Sequence, residues 1–139
     1  MNFIKSGEMK VSVTGEQERQ ISSKDNIRKA LLEDNVIGFD IYDDTVLIGF
    51  AMLRKYDEGC YFLWDYAIDK EYQNRHYVTR ALKQLIEMMQ NEYGLKEMST
   101  TYIWGNEHAR YVYESVGFRE TDVVDEDGIH EVNMLYQVV

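Results

Sequence analysis

The stretch that decides the fold is residues 64–82, which read WDYAIDKEYQNRHYVTRAL. It predicts a buried strand, a short polar loop and the first turns of a long amphipathic helix. The first backbone N–H groups of a helix lack partners within the helix, and the helix dipole makes that end attractive to anions. Because Arg75, His76 and Arg80 add positive charge there, the junction predicts a site for a phosphate or pyrophosphate group.

The composition indicates one globular domain over residues 1–139, with 45% apolar and 29% charged residues. The formal net charge of -10 argues against a nucleic-acid partner, which requires clustered Lys and Arg. It suits a small cationic substrate, although acidic totals are also common in soluble proteins. The apolar runs are short and no signal-peptide core opens the chain, so we expect no membrane partner and a cytoplasmic location.

Known catalytic and metal-binding sequence sets are missing. His76, His108 and His130 are scattered and Cys60 is the only cysteine, so we expect no metal site and no intramolecular disulfide. The G-x-S-x-G elbow, the nucleotide P-loop and the G-x-G-x-x-G fingerprint are also absent. The anion-binding junction is therefore the main functional signal.

The residues that open the chain predict an edge strand and a helix. Residues 9–13 alternate between apolar and polar, as an edge strand does, and the polar segment 15–21 is weakly helical. Ser22 and Asp25 have the spacing of a capping box, which predicts a helix over residues 24–34. We expect this helix to cover a sheet.

The centre of the chain predicts three strands, a helix and a further strand. The strands at residues 36–42, 45–54 and 60–68 are joined by short turns and form an antiparallel meander. Apolar residues then recur at helical spacing over residues 78–93, and a β-rich segment follows at residues 97–104. This strand-helix-strand order predicts a crossover that places the last strand parallel to the third.

The C-terminal part predicts a short helix and a hairpin. Asn106 is placed as the helix N-cap and Gly117 as its end. The hairpin runs through residues 118–125 and 130–139. The predicted fold class is α/β (α+β), with a mixed, mostly antiparallel twisted sheet of about six to seven strands flanked by about four helices.

Two segments carry a resemblance to a known family. Residues 106–118, NEHARYVYESVGF, resemble the N-x-x-A-x-x-x-Y-x-x-x-G-F signature of the GNAT acetyltransferase superfamily. Residues 68–78 resemble that family's strand and its Q-x-x-G-x-G/A coenzyme A loop, with Gln73 at the first position. The order of elements matches over nearly the whole chain, which implies the GNAT fold and an acetyl-CoA-dependent N-acetyltransferase.

Within the superfamily, the chain is most similar to the small bacterial spermine/spermidine acetyltransferases. The segments that carry this similarity are residues 16–18, 46–52 and 63–73. It favours a polyamine as the amine acceptor. A peptide N-terminus, an aminoglycoside and other small amines stay open.

The resemblance implies that acetyl-CoA is the co-substrate and assigns residues to it. Backbone groups of Ala67 and Ile68 would pair with the pantetheine arm, and Asn106 would contact that arm while capping its helix. The pyrophosphate would be held by the loop Gln73, Asn74, Arg75, His76, Tyr77, Val78 and Thr79, with Arg80 beside it.

The resemblance also implies a catalytic acid. Tyr113 would lie near the thioester sulfur and protonate the departing thiolate, since the pKa of a phenol, near 10, is close to that of a thiol. The alternative for Tyr113 is a core aromatic on the inner face of its helix. The signature around it favours the catalytic role.

The acceptor end requires a group that removes a proton from the amine. Asp65, on the strand before the loop, is the candidate, acting directly or through water; an ordinary solvent-facing strand residue is an equally weighted interpretation. Trp64, Tyr66 and Trp104 are candidates for an amine pocket through cation–π contact, although core packing is favoured for at least two of them. The attacked carbonyl would be polarised by a backbone N–H of the same strand as Asp65.

The loop departs from the family at both glycines, which are His76 and Val78 here. A β-branched residue adds bulk where glycine lets the backbone approach a phosphate. This departure supports an alternative hypothesis, a GNAT-fold binding or regulatory module with weak or no acetyl-CoA binding. The C-terminal hairpin offers strand edges and aromatic residues that suit a homodimer.

Overall fold

The computed structural model describes residues 1–13, 20–73 and 76–138, and it contains one seven-stranded sheet. The strands are β1 (Asn2–Lys5), β2 (Val36–Asp43), β3 (Val46–Asp57), β4 (Cys60–Ile68), β5 (Glu97–Ile103), β6 (Arg119–Glu126) and β7 (Ile129–Gln137). The helices in these ranges are α1 (Lys24–Ala30), α2 (Tyr77–Tyr93) and α3 (Glu107–Ser115).

The strand order across the sheet is β1-β2-β3-β4-β5-β7-β6. Every neighbouring pair is antiparallel except β4 and β5, which are parallel. The parallel pair is joined through α2, as the predicted crossover requires. The predicted fold class, a mixed and mostly antiparallel sheet with flanking helices, is confirmed.

The two faces of the sheet carry separate hydrophobic clusters. One cluster unites the strands with the inner faces of α2 and α3, where Leu82, Leu85 and Met89 are fully buried. The other joins the sheet to α1 and the N-terminal segment, with Ile27 and Phe50 fully buried. Truncating one such Leu to Ala costs about 2–5 kcal/mol of unfolding free energy, so both helical layers hold the sheet firmly.

The predicted edge strand at residues 9–13 is wrong. The edge strand is β1, which pairs with β2, whereas Met9 and Val11 are buried outside any strand. Their alternation therefore reflects one-sided burial against the α1 layer rather than strand pairing. Most of the weakly helical segment 15–21 lies outside the described residues.

The start and end of α1 also differ from the prediction. Ser23, not Ser22, is the N-cap, and its hydroxyl accepts a hydrogen bond from the backbone N–H of Asn26. The helix ends at Ala30 rather than at residue 34. Adjacent serines make the cap position ambiguous by one residue in the sequence, and only the N–H geometry decides between them.

A β-bulge shapes β4 where it runs beside β3. Met52 pairs with Asp65 and Leu53 pairs with Leu63, so Trp64 is the extra residue on β4. A bulge bends its strand and reverses the alternation of side chains beyond it. Leu63 accordingly belongs to the α2 cluster, while the Asp65 side chain contacts Ser22 beside α1.

No helix in residues 1–13, 20–73 and 76–138 has the length and apolar character needed to cross a membrane.

Candidate active site

The candidate site lies where β4 and β5 stop pairing. The two strands pair only at Cys60–Glu97, Tyr61–Met98 and Phe62–Ser99. The next link is the buried Thr100 hydroxyl, which donates to the carbonyl oxygen of Leu63 at 3.0 Å. Beyond it the two strands run on to Ile68 and Ile103 without pairing each other. Backbone groups along this opening between β4 and β5 therefore take partners other than the neighbouring strand.

Tyr113 lies on α3 with its side chain 6% exposed. Burial raises the pKa of its phenol to about 12; the nearby Asp65 carboxylate adds to the rise, and the Thr100 hydroxyl works against it. Tyr113 therefore stays protonated at neutral pH and interacts with groups on both β4 and β5. Its ring also packs edge-on against Phe118, with the centroids 5.3 Å apart.

Asp65 is buried, with 3% of its surface exposed. Its Oδ1 accepts a hydrogen bond from the backbone N–H of Ser22 at 2.8 Å, whereas its buried Oδ2 has no hydrogen-bond partner among the described residues. Burial raises the pKa of the carboxyl to about 6, and the contact with Ser22 lowers it in part. The interpretation of Asp65 as a solvent-facing residue is wrong, because the bulge turns it inward.

The two β4 aromatics assigned to an amine pocket lie in different layers. Trp64 is half-buried against the α1 cluster, and the guanidinium of Arg54 lies 5.5 Å from its ring centroid. Tyr66 is buried in the α2 cluster, and its hydroxyl donates to the carbonyl oxygen of Val78. They therefore do not share one pocket, and the Trp64 ring already contacts a cation of its own chain. Trp104, at the end of β5, is 64% exposed.

The start of α2 has no side-chain cap. His76 is its N-cap residue, with φ of 61° in the left-handed region, and its side chain makes no capping hydrogen bond. The first turn contains no acidic residue. The position where the family has its first glycine thus adopts a conformation that favours glycine, and neither a side-chain cap nor a carboxylate of the first turn competes with an anion at this helix start.

Val78, at the family's second glycine, has its side chain in the α2 cluster. Its bulk is therefore directed into the core, which removes the steric reason for expecting weak coenzyme A binding. Thr79 and Tyr77 are half-buried, and Asn74 and Arg75 lie outside the described residues.

Two further residues of the predicted loop contact other elements. Gln73 donates from Nε2 to the carbonyl oxygen of Ile68 at 3.0 Å. Arg80 forms an ion pair with Asp43 at 3.2 Å, with its own side chain 53% exposed. Ala67 and Ile68 are fully buried on β4. The structure thus brings the loop back onto the strand that was assigned to the pantetheine arm.

Asn106 caps α3 as predicted, and its Oδ1 accepts from the N–H of Ala109 at 3.1 Å. Its Nδ2 donates to Oε1 of Gln20 at 3.2 Å. Gln20 also donates to the carbonyl oxygen of Thr101 and accepts from the N–H of Ile103. This one side chain thus satisfies the β5 edge of the opening. No sequence pattern marks Gln20, since a single glutamine in a polar segment has no periodicity.

Among the described residues, no three His, Cys, Asp or Glu side chains are grouped as a metal site requires. The site therefore consists of a buried phenol, a buried carboxyl, the strand edges that face the opening and a helix start without a side-chain cap. This arrangement suits proton transfer at one end and the binding of an anionic group at the other.

Comparison with known proteins places these features in a family. The model of the acetyltransferase (GNAT) family matches residues 9–118. An uncharacterized N-acetyltransferase, YycN, of Bacillus subtilis is 33% identical over 63 residues, or 45% of this chain and 40% of the relative. A probable spermine N(1)-acetyltransferase of Bacillus subtilis subsp. natto is 32% identical over 95 residues, or 63% and 62%. The chain thus matches less than two thirds of the length of these curated relatives.

Solved structures share the fold. A GNAT family acetyltransferase from Elizabethkingia anophelis with acetyl-CoA bound has a TM-score of 0.70 and 18% identity, with 99% of both chains covered. The spermidine N-acetyltransferase from Vibrio cholerae in complex with CoA and spermine has a TM-score of 0.68 and 17% identity, with 84% of this chain and 76% of that chain covered.

Proposed function

Because the chain belongs to the acetyltransferase (GNAT) family, we propose that it transfers the acetyl group of acetyl-CoA to a primary amine of a small cationic substrate, a polyamine of the spermine or spermidine type. The observation that carries the proposal is the buried pair beside the opening, the protonated Tyr113 and the unpartnered Oδ2 of Asp65. A buried polar atom without a partner is costly, so a partner supplied by substrate explains it best.

Acetyl-CoA fits the described residues at both ends of the opening. The uncapped first turn of α2, from His76 to Thr79, would receive the pyrophosphate through backbone N–H groups. Backbone groups of β4 near Ala67 and Ile68 would pair with the pantetheine arm, with Asn106 on the far side, once Gln73 releases the carbonyl oxygen of Ile68. Arg80 would add positive charge once it leaves Asp43. The ion pair between these two side chains contributes about 1 kcal/mol or less to stability, so breaking it costs little.

The amine must first lose a proton to become a nucleophile. Asp65 would accept this proton from the substrate ammonium, directly or through water, because its carboxyl with a pKa of about 6 is ionised at neutral pH. The neutral amine then attacks the carbonyl carbon of the thioester, a C–N bond forms, the attacking nitrogen loses its second proton to water, and the C–S bond breaks. Trp64, next to Asp65, would contact the amine only after Arg54 moves from its ring.

Tyr113 would serve the departing sulfur. The expected match between phenol and thiol pKa does not hold in this buried site, since a phenol pKa of about 12 lies well above the ~8.5 typical of a thiol. Complete proton transfer to the free thiolate would therefore cost roughly 4–5 kcal/mol, and transfer to the sulfur before it leaves would cost more. Tyr113 would first donate a hydrogen bond to the sulfur and release its proton as the thiol departs, then regain a proton from solvent. The net products are the acetylated amine, the free thiol and one proton.

The charge of the chain supports a cationic acceptor. A formal net charge of -10 creates a negative potential that raises the encounter rate with polyamines. The relatives named for spermine and spermidine favour the same acceptor.

An acetyl-transfer screen tests the proposal. Purified protein is incubated with acetyl-CoA and one amine at a time, namely spermine, spermidine, a peptide with a free N-terminus or an aminoglycoside, and thiol release and the acetylated product are both measured. We expect the highest kcat/KM with spermine or spermidine. If millimolar acetyl-CoA does not raise the melting temperature, the enzyme hypothesis is wrong. If acetyl-CoA binds but no amine is acetylated, the result supports a regulatory module instead.

A cytoplasmic homodimer completes the proposal. The sheet has two edge strands, β1 and β6. The residues of β6 are exposed apart from the partly buried Val124, and an open strand edge is a pairing surface. Sedimentation equilibrium at micromolar concentration measures the oligomeric state, and a monomer at all concentrations would contradict this part.

A further inference from the structure

We propose that Tyr66 is a positioning residue whose buried hydroxyl sets the first turn of α2 for the phosphate-bearing end of acetyl-CoA. The inference rests on the proposed function, because it assumes that acetyl-CoA binds at this turn. It gives Tyr66 a role in binding the thioester donor in place of the amine-pocket role predicted from the sequence.

The hydroxyl of Tyr66 lies within the hydrogen-bond ladder of α2. It donates to the carbonyl oxygen of Val78, which as a carbonyl of the first turn also faces the backbone N–H of Leu82 in the same helix. Residues 78 and 82 are four apart, which is the spacing at which a helical C=O and N–H bond each other. A side-chain group at such a junction changes the tilt of the peptide groups around it. The phenol is thus placed to fix how the first turn of α2 is oriented.

Other contacts at this turn are weaker restraints. The N-cap residue, His76, provides no side-chain cap. The ion pair between Arg80 and Asp43 joins side chains that are 53% and 26% exposed, and such pairs contribute little to stability. Tyr66 is 8% exposed and its hydrogen bond is buried, where water does not compete for it. The buried phenol is therefore a firm polar link between β4 and this turn.

The location on β4 ties the two ends of the site together. Tyr66 lies between Asp65, the proposed proton acceptor, and Ala67, whose backbone would face the pantetheine arm. A shift of the helix start relative to β4 would move the pyrophosphate relative to the thioester. Tyr66 thus sets the distance over which one extended ligand must fit.

The chain offers a matched control in Tyr61. It lies on the same strand, is 6% exposed and packs against the other end of α2, where its ring centroid is 6.5 Å from that of Tyr93. Tyr66→Phe and Tyr61→Phe each remove one hydroxyl from β4 and keep the ring. Only the first removes a hydroxyl from the start of α2.

The test compares two acetyl donors, acetyl-CoA and S-acetylpantetheine, which lacks the pyrophosphate and nucleotide. We expect Tyr66→Phe to lower kcat/KM about five- to tenfold with acetyl-CoA, the loss expected for one buried hydrogen bond, and to leave kcat/KM with S-acetylpantetheine unchanged. Tyr61→Phe should match the unaltered protein with both donors. Equal losses with both donors, or the same loss in Tyr61→Phe, would overturn the inference.

A second measurement needs no turnover. In the ligand-free protein, the amide resonances of residues 78–82 should shift in Tyr66→Phe and stay in place in Tyr61→Phe. Unchanged resonances in Tyr66→Phe would overturn the positioning role even in an active enzyme. If those resonances shift but the unaltered protein transfers no acetyl group, it is the proposed function that fails.

Discussion

The helices α2 and α3 begin in opposite ways, although both lead into the candidate site. α3 has a side-chain cap from Asn106 and an acidic residue, Glu107, in its first turn. α2 begins at His76 with neither feature. The start of α3 is thus satisfied within the chain, whereas the positive end of the α2 dipole has no balancing carboxylate in its first turn.

This difference assigns a task to each end of the site. A helix whose start is fixed internally can hold a reacting group in one place, and α3 carries Tyr113. A helix whose start is open can receive an anionic ligand, and α2 follows the predicted phosphate loop. The comparison therefore separates a chemistry end from a ligand end, and substitutions at one end should not produce the effects of the other.

The largest expected effect is at the chemistry end. Tyr113→Phe should lower kcat about 100-fold, because it removes the hydrogen bond and proton for the departing sulfur, while the affinity for acetyl-CoA stays within twofold. The control is Tyr111→Phe, on the same helix but 70% exposed, which should keep full activity. A Tyr113→Phe protein with normal kcat and weakened acetyl-CoA binding would reverse the assignment of the two ends.

The second prediction concerns Asp65 and pH. The folded carboxyl has a raised pKa of about 6 against ~3.9 when unfolded, so the folded state binds this proton more tightly and loses stability as pH rises from 4 to 6. Between pH 4 and pH 7.5, the unfolding free energy should fall by about 2–3 kcal/mol less in Asp65→Asn than in the unaltered protein. The same substitution should abolish the rise of kcat/KM through pH 6.

The control for this prediction is Asp127→Asn in the exposed turn of the β6–β7 hairpin, which should follow the pH dependence of the unaltered protein. If the unfolding free energy of Asp65→Asn depends on pH as that of the unaltered protein does, the pKa of the Asp65 carboxyl is not raised in the folded state. Full activity in that variant would remove Asp65 from the chemistry end.

The third prediction concerns a negative charge in the first turn of α2, where α3 has Glu107. Thr79→Glu introduces a carboxylate into the first turn of α2, which should weaken acetyl-CoA binding about tenfold through repulsion of the pyrophosphate. It should also raise the unfolding free energy by about 0.3–1 kcal/mol through the helix dipole. Calorimetric titration and thermal unfolding measure the two effects, and Thr79→Gln is the uncharged control. Unchanged affinity would place the pyrophosphate elsewhere.

The smallest effects come from the two N-cap positions. Asn106→Ala should cost about 1 kcal/mol of unfolding free energy because the Ala109 N–H loses its partner. His76→Gly should instead stabilise the protein by about 1 kcal/mol, since glycine adopts a positive φ without strain. Chemical denaturation measures both, and loss of stability in His76→Gly would contradict the uncapped, strained start.

The sequence alone was sufficient to predict the bounds of elements that carry strong local signals. β4, α2 and α3 were predicted within one residue because Gly94 and Asn106 mark helix ends and α2 has a continuous apolar face. The parallel pairing of β4 and β5 followed from the crossover. Such signals depend on neighbours within one helical turn, so they need no tertiary contact to be recognised.

The orientation of side chains beyond Leu63 was not predictable. In a regular strand, Leu63 and Asp65 face the same side, but the extra residue Trp64 reverses that order. The bulge depends on how β3 and β4 meet, and nothing within β4 marks it. The inward carboxyl of Asp65 and the core position of Tyr66 both follow from it, so the sequence alone left open whether Asp65 faces solvent and whether Tyr66 lines a pocket or packs in the core.

The short pairing of β4 with β5 has a mechanical consequence. Three paired positions and one hydroxyl bond join the β1–β4 half of the sheet to the β5–β7 half. Beyond Thr100, the two halves share the hydrophobic cluster beneath α2 and α3 but no ladder of backbone hydrogen bonds between β4 and β5. A thioester bound between the two strand edges would add hydrogen bonds across the seam. Part of the free energy of ligand binding would then go into stiffening the whole sheet.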